Sequence, residues 1–116
     1  MAKKRKEKTE FGQYLVEEIK ETGMSQADFI AEVGIARPYF YDILIGSPPS
    51  QDILEKIIAV LNKHLPAAEN RRITFIDKAA KCRGEIPSDI NDLIREHPEQ
   101  WDSIRKTLSS LLSVHV

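Results

Sequence analysis

A chain of 116 residues that is 41% hydrophobic and 30% charged is too apolar for an intrinsically disordered protein, and its length suits one compact unit or a small domain with an appendage. A lone cysteine, Cys82, excludes an internal disulfide and any cysteine-based zinc cluster. No apolar run approaches a membrane span, and the start Met1-Ala2-Lys3-Lys4-Arg5-Lys6 has no apolar stretch behind it of the kind a secretory signal needs. The expected location is therefore cytoplasmic.

The predicted elements are all helical. Phe11, Leu15 and Ile19 recur every four residues with Val16 alongside, which predicts a first helix from about Thr9 or Glu10 to Thr22, closed by Gly23. Ser25 suits the N-cap of a second helix, with Asp28 in its favourable first turn. Gly34 marks a turn, and a third helix follows over about residues 36–44. Pro38 falls in its first turn, where the missing N–H has no helical partner to lose. Gly46-Ser47-Pro48-Pro49 breaks the chain, and Ser50 caps a fourth helix with Ile53, Leu54, Ile57, Ile58 and Leu61 as its apolar stripe. Leu65-Pro66 is expected to end this domain. Beyond it, Ile73, Ile76 and Ala80 share one face of a helix between about Ala68 and Gly84. Pro87-Ser88 opens another, with Ile90, Leu93 and Ile94 in phase. His97-Pro98 interrupts, and Trp101, Ile104, Leu108 and Leu111 mark a last helix. No alternating strand pattern and no Asn-Gly or Asp-Gly hairpin signal occurs.

The most informative segment is Ser25–Ile43. Phe29 and Val33 lie four apart on the second helix, Phe40 and Ile43 three apart on the third, and Ile35 follows the glycine where it can plug the corner. Two short helices joined this way, with a glycine free to take positive φ between them, have the spacing of a helix-turn-helix. A helix held out at such a corner can enter the major groove of DNA.

Leu15, Ile19, Gly23-Met24-Ser25-Gln26, Val33-Gly34-Ile35, Arg37, Tyr39-Phe40, Ile43, Gly46 and Pro49-Ser50, in this order and spacing, resemble the Xre/Cro repressor family. The similarity covers about residues 10–65. The resemblance implies an all-α chain with a five-helix, phage-repressor-like helix-turn-helix domain, here placed at residues 9–66 and followed by a small helical C-terminal element at 67–116. It further implies that the residue at Gln26 touches phosphate, that Tyr39 faces the backbone, and that the third helix reads bases. Arg37, Pro38, Tyr41 and Asp42 occupy the outward positions of that helix and are the expected base-reading residues. Arg37 suits guanine through its guanidinium fork. Ser25, Gln26, Tyr39 and Ser47 are the expected backbone contacts.

The net charge of −1 divides unevenly. Residues 1–8 carry +4 and are expected to form a basic disordered tail, residues 9–50 carry −5, and the remainder is neutral. Phosphate neutralisation dominates DNA affinity, so Lys3, Lys4, Arg5 and Lys6 are the expected source of attraction to double-stranded DNA. The acidity of 9–50 and the neutral Ser47-Pro48-Pro49 loop also fit an alternative, a protein-interaction module of antitoxin or adaptor type that keeps the fold without the DNA function.

No spacing suggests an enzyme, a cofactor or a metal. His64, His97 and His115 are scattered, Cys82 has no neighbouring base and reads as a partly buried inert thiol, and Asp89, Asp92, Glu96, Glu99 and Asp102 read as a solvated face. Trp101 at helical spacing reads as core. Ile90, Leu93, Ile94, Trp101, Ile104, Leu108 and Leu111 are more apolar residues than short appended helices can hide. They predict a homodimer formed by the C-terminal region.

Overall fold

The structure, a computed structural model, describes residues 7–114. Those residues form seven α-helices and one short 3-10 turn, with no strand among them: α1 (Glu10–Thr22), α2 (Gln26–Val33), α3 (Arg37–Ile45), α4 (Gln51–His64), α5 (Glu69–Arg83), α6 (Ser88–Arg95), the 3-10 turn Pro98–Gln100, and α7 (Trp101–Leu112). No helix among them is long and apolar enough to cross a membrane.

Local chemistry explains the boundaries. The Thr9 hydroxyl accepts from the Gly12 N–H at 3.0 Å and the Ser25 hydroxyl from the Asp28 N–H at 3.0 Å, each satisfying an otherwise unpaired donor of a first turn. Ser50 does the same for the Ile53 N–H at 3.4 Å. Helix α3 has no side-chain cap, and a proline occupies its first turn, so one of its free donors is simply absent. Gly34 stops α2 at φ 84°, a conformation that costs an L side chain roughly 1 kcal/mol or more.

The chain divides into two units, the first ending at Glu85 and the second beginning at Ile86. The core of the first is one cluster in which Phe11, Phe29, Phe40, Phe75, Leu15, Ile43, Leu54, Ile57 and Leu61 are fully buried. Ile35 and Tyr39 pack against it from its edge. Helix α5 belongs to this core, and that corrects the domain boundary expected at residue 66. Phe75, Ile76, Ala79 and Ala80 are buried. The Phe75 ring stands edge-on to Phe11 at 5.6 Å and to Tyr14 at 4.6 Å between centroids. Ile73, expected on the inner face, is instead 47% exposed, and Phe75 and Ala79 take the place assigned to it. The pairs 75/76 and 79/80 form the stripe that α1 covers, and a helix can offer only one such stripe to one neighbour.

Polar contacts tie α5 down on both sides. Arg71, 6% exposed, donates to Asn62 Oδ1 at 2.6 Å and to the Pro66 carbonyl at 3.0 Å, and its Nε lies 3.7 Å from Glu18 Oε1. That last separation is an ion-pair distance and not a hydrogen bond, so the Nε–H is left without an acceptor. Burial, reinforced by a hydrogen bond to the Glu18 carboxylate, pushes the Tyr14 phenol up to about 12. Arg72 pairs with Glu55 and Lys81 with Glu10 across the same seams.

The second unit comprises α6, the 3-10 turn and α7. None of its helical residues is buried. It is closed by polar contacts: the Trp101 indole N–H donates to the Ile94 carbonyl at 2.6 Å, and His97 Nδ1 lies 2.8 Å from the Leu93 carbonyl. Trp101 is 45% exposed and is therefore not a core residue, contrary to the reading of its spacing. Cys82, read as partly buried, is exposed on α5.

Candidate nucleic-acid interface

Helix α3 is fixed by its inner face. Phe40, Ile43 and Leu44 are buried, and Phe40 meets Phe29 of α2 at 6.4 Å between ring centroids. Helical periodicity then turns Pro38, Tyr41 and Asp42 outward, and these three and Arg37, at the start of the helix, are exposed. Four residues on from Tyr41, Ile45 extends the same face at 36% exposure. The Arg37 guanidinium meets no partner among the described residues. A planar donor fork projecting freely from the first turn of an exposed helix is equipped to bond a bidentate acceptor.

The residues expected to flank this helix fall in different settings. Ser25 is exposed, although its hydroxyl is engaged as the α2 cap. Gln26, half-buried, lines an open groove of about 810 Å³ together with Lys8, Gln13, Tyr41 and Ile45. Tyr39 is half-buried against the core, so only part of its surface is available for contact. Ser47 is exposed in the loop after α3. Lys3, Lys4, Arg5 and Lys6 lie outside the described residues. The chain that follows them does run beside α3: the Thr9 N–H donates to the Leu44 carbonyl at 3.0 Å, and Glu7 and Lys8 line the groove with Tyr41.

That junction depends on Gly12. A Cβ at this position would sit 2.8 Å from the carbonyl carbon and Cα of Leu44, and nearer still to the carbonyl oxygen. Helix α1 therefore touches the last turn of α3 backbone to backbone. Nothing in the local sequence announces this, because a glycine in an amphipathic helix reads only as a weak helix former. Gln13 carries no signal in the sequence, and Lys8 counts there only toward the basic charge of residues 1–8. They belong to the face only because α1 packs this close to α3.

The electrostatics are mixed. Asp42 places a carboxylate on the exposed face, and Asp28 another in the first turn of α2. Glu32, at the far end of α2, is neutralised by Lys63 Nζ at 2.8 Å and approached by His64 Nε2 at 2.6 Å. The Lys63 hydrogen bond, seconded by His64, holds its carboxyl below the usual carboxylate range. No group of three or more metal-ligating side chains occurs among the described residues.

In the second unit, of the side chains expected at a dimer interface, Ile90 (45% exposed), Leu93 (62%), Trp101 (45%), Leu108 (42%) and Leu111 (75%) are open to solvent, and Ile94 and Ile104 are half-buried. Ile86 and Leu112 extend the exposed apolar set. Comparison with known proteins returns no matching family model, no matching curated protein and no matching solved structure.

Proposed function

We propose that this chain is a sequence-specific DNA-binding regulator of the Xre/Cro helix-turn-helix kind, most naturally a repressor, with α3 as the major-groove reader. The observation that carries the reading is that α3 buries Phe40, Ile43 and Leu44 while Pro38, Tyr41 and Asp42 are exposed and Arg37, exposed at its start, meets no partner among the described residues. In this reading Arg37 and Tyr41 touch base edges, Pro38 offers an apolar contact, and Ser25, Gln26, Ser47 and the open part of Tyr39 fix the register on phosphates. The +4 charge of residues 1–8 supplies attraction that the acidic 9–50 segment lacks.

Genomic pull-down followed by sequencing tests this directly. A single enriched sequence class, lost on changing Arg37 to Ala, is the expected result. One good bidentate base contact is worth about 1–3 kcal/mol of discrimination. A uniform, sequence-blind weakening would refute base reading by Arg37. The acidity of residues 9–50 favours a second reading, a protein-interaction module without DNA function. Absence of binding to any duplex at low salt would select it.

The same proposal assigns the second unit to self-association. Residues 87–100 carry Asp89, Asp92, Glu96 and Glu99 against Arg95, whereas 101–112 carry Arg105 and Lys106 against Asp102. An acidic 87–100 segment and a weakly basic α7 on one chain suit a twofold pair in which the first of each copy faces α7 of the other. A standard interface buries roughly 800 Å² per partner, which large apolar side chains of this exposure can supply. Light scattering should report near twice the 13.2 kDa chain mass, falling to one chain mass on Leu93→Asp.

A further inference from the structure

The loop 46–50 after α3 carries no cation of its own: its residues are Gly46, Ser47, Pro48, Pro49 and Ser50. The fold brings one to it. Arg83, in the last turn of α5 and 34 residues away along the chain, donates through Nη2 to the Pro49 carbonyl and to the Pro48 carbonyl at 3.3 Å. Pro49 is fully buried, while Ser47 and Arg83 are exposed. The guanidinium thus holds the loop by two main-chain carbonyls, from a residue that is itself exposed.

Arg83 differs in its company from the three α5 cations that sit beside carboxylates, and from Lys78 in reaching the loop after α3. Arg71 is buried beside Glu18, Arg72 pairs with Glu55, Lys81 pairs with Glu10, and Lys78 lies over the Tyr14 ring at 5.8 Å. Arg83 contacts only neutral carbonyls among the described residues. Its charge is therefore not cancelled, and its guanidinium has five N–H donors of which the loop engages those of a single nitrogen. The described part of the segment from 9 to 50 otherwise contributes only Lys20 and Arg37 as cations.

We propose that Arg83 is a phosphate-contacting residue of the DNA interface, delivered to the α3 side by α5, and that it holds the 46–50 loop in place while its free donors bond the DNA backbone flanking the groove. The inference rests on the DNA-binding reading above. It names a residue that the helix-turn-helix segment does not contain and that sequence order separates from it.

The test is the salt dependence of binding to a fluorescein-labelled mixed-sequence duplex, for full-length wild type, Arg83→Gln and Arg83→Lys. Each phosphate contact contributes about 0.9 to the slope of log K against log salt. Arg83→Gln should flatten the slope by about that amount and weaken binding to all sequences alike. Arg83→Lys should restore the slope, because a point charge serves a phosphate. Thermal melts of the three proteins establish that each is folded. If wild type binds with a steep slope and Arg83→Gln leaves that slope unchanged, Arg83 is a loop anchor only and the inference is overturned. Loss of affinity by both variants at constant slope overturns it equally. If wild type binds no duplex at low salt, the DNA reading itself fails and takes this inference with it.

Discussion

Replacing Gly12 by Ala is the sharpest single test of how the first unit is built, because local and tertiary reasoning give opposite signs. On helix propensity alone, Gly→Ala in the first turn of α1 should stabilise by up to about 1 kcal/mol. In the folded protein the new methyl would lie 2.8 Å from two backbone carbons of Leu44, short of the 3.5–4.0 Å carbon–carbon optimum by roughly 0.7 Å or more. The obstruction is backbone in the last turn of α3, so no rotamer change relieves it. Helix α1 must retreat, which overpacks elsewhere at a cost of about 1–3 kcal/mol. Retreat also stretches the 3.0 Å hydrogen bond from the Thr9 N–H to the Leu44 carbonyl, worth about 1 kcal/mol. Set against the propensity gain, the net expectation is a loss of about 1–3 kcal/mol. For a unit of this size that is a fall in melting temperature of roughly 5–20 °C. Thermal melts followed by circular dichroism, with Glu17→Ala as the exposed control in the same helix, read the difference. A Gly12→Ala protein as stable as wild type, or more so, would refute the backbone contact between α1 and α3.

Phe75→Ala should cost about 3–5 kcal/mol, the range for truncating a fully buried aromatic. A fragment ending at residue 66 should melt far below one ending at residue 85; equal stability would contradict the assignment of α5 to the core. Glu32 has a depressed carboxyl, so its ion pairs stabilise the fold above the ordinary value of 4.5 and that contribution is lost as pH falls through the lower folded value. Melting curves of wild type and Glu32→Gln should therefore differ at neutral pH and converge below pH 4.5, and a gap that persists in acid would argue against the pairing. Tyr14 has a folded value of about 12, so the ultraviolet phenolate titration should show a late step near that pH that Tyr14→Phe removes. The stabilisation linked to that shift is complete below the phenol's ordinary value of 10.0 and is lost as pH rises through about 12.

Much of the secondary structure was legible in residue order because it is decided by neighbours a few positions apart. Thr9, Ser25 and Ser50 cap the turns that follow them, Gly23 and Gly34 close the turns before them, and the predicted ends of α1 to α4 lie within about a residue of those observed. The outward set Pro38, Tyr41 and Asp42 was legible for the same reason, because assigning Phe40 and Ile43 inward turns those three away at 3.6 residues per turn, whereas Arg37, a full heptad before the buried Leu44, owes its exposure to its place in the first turn. The tertiary structure alone decided what depends on distant chain. Helix α5 carries two overlapping apolar stripes, through Ile73 or through Phe75 and Ala79, and only docking on Phe11 and Tyr14 selected the second. The burial of Arg71 needed Asn62 and the Pro66 carbonyl to receive it. The need for glycine at position 12 and the reach of Arg83 to the Pro48 and Pro49 carbonyls are approaches across more than 30 residues of sequence. No periodicity encodes such contacts, because they arise only when helices settled by local forces pack against one another.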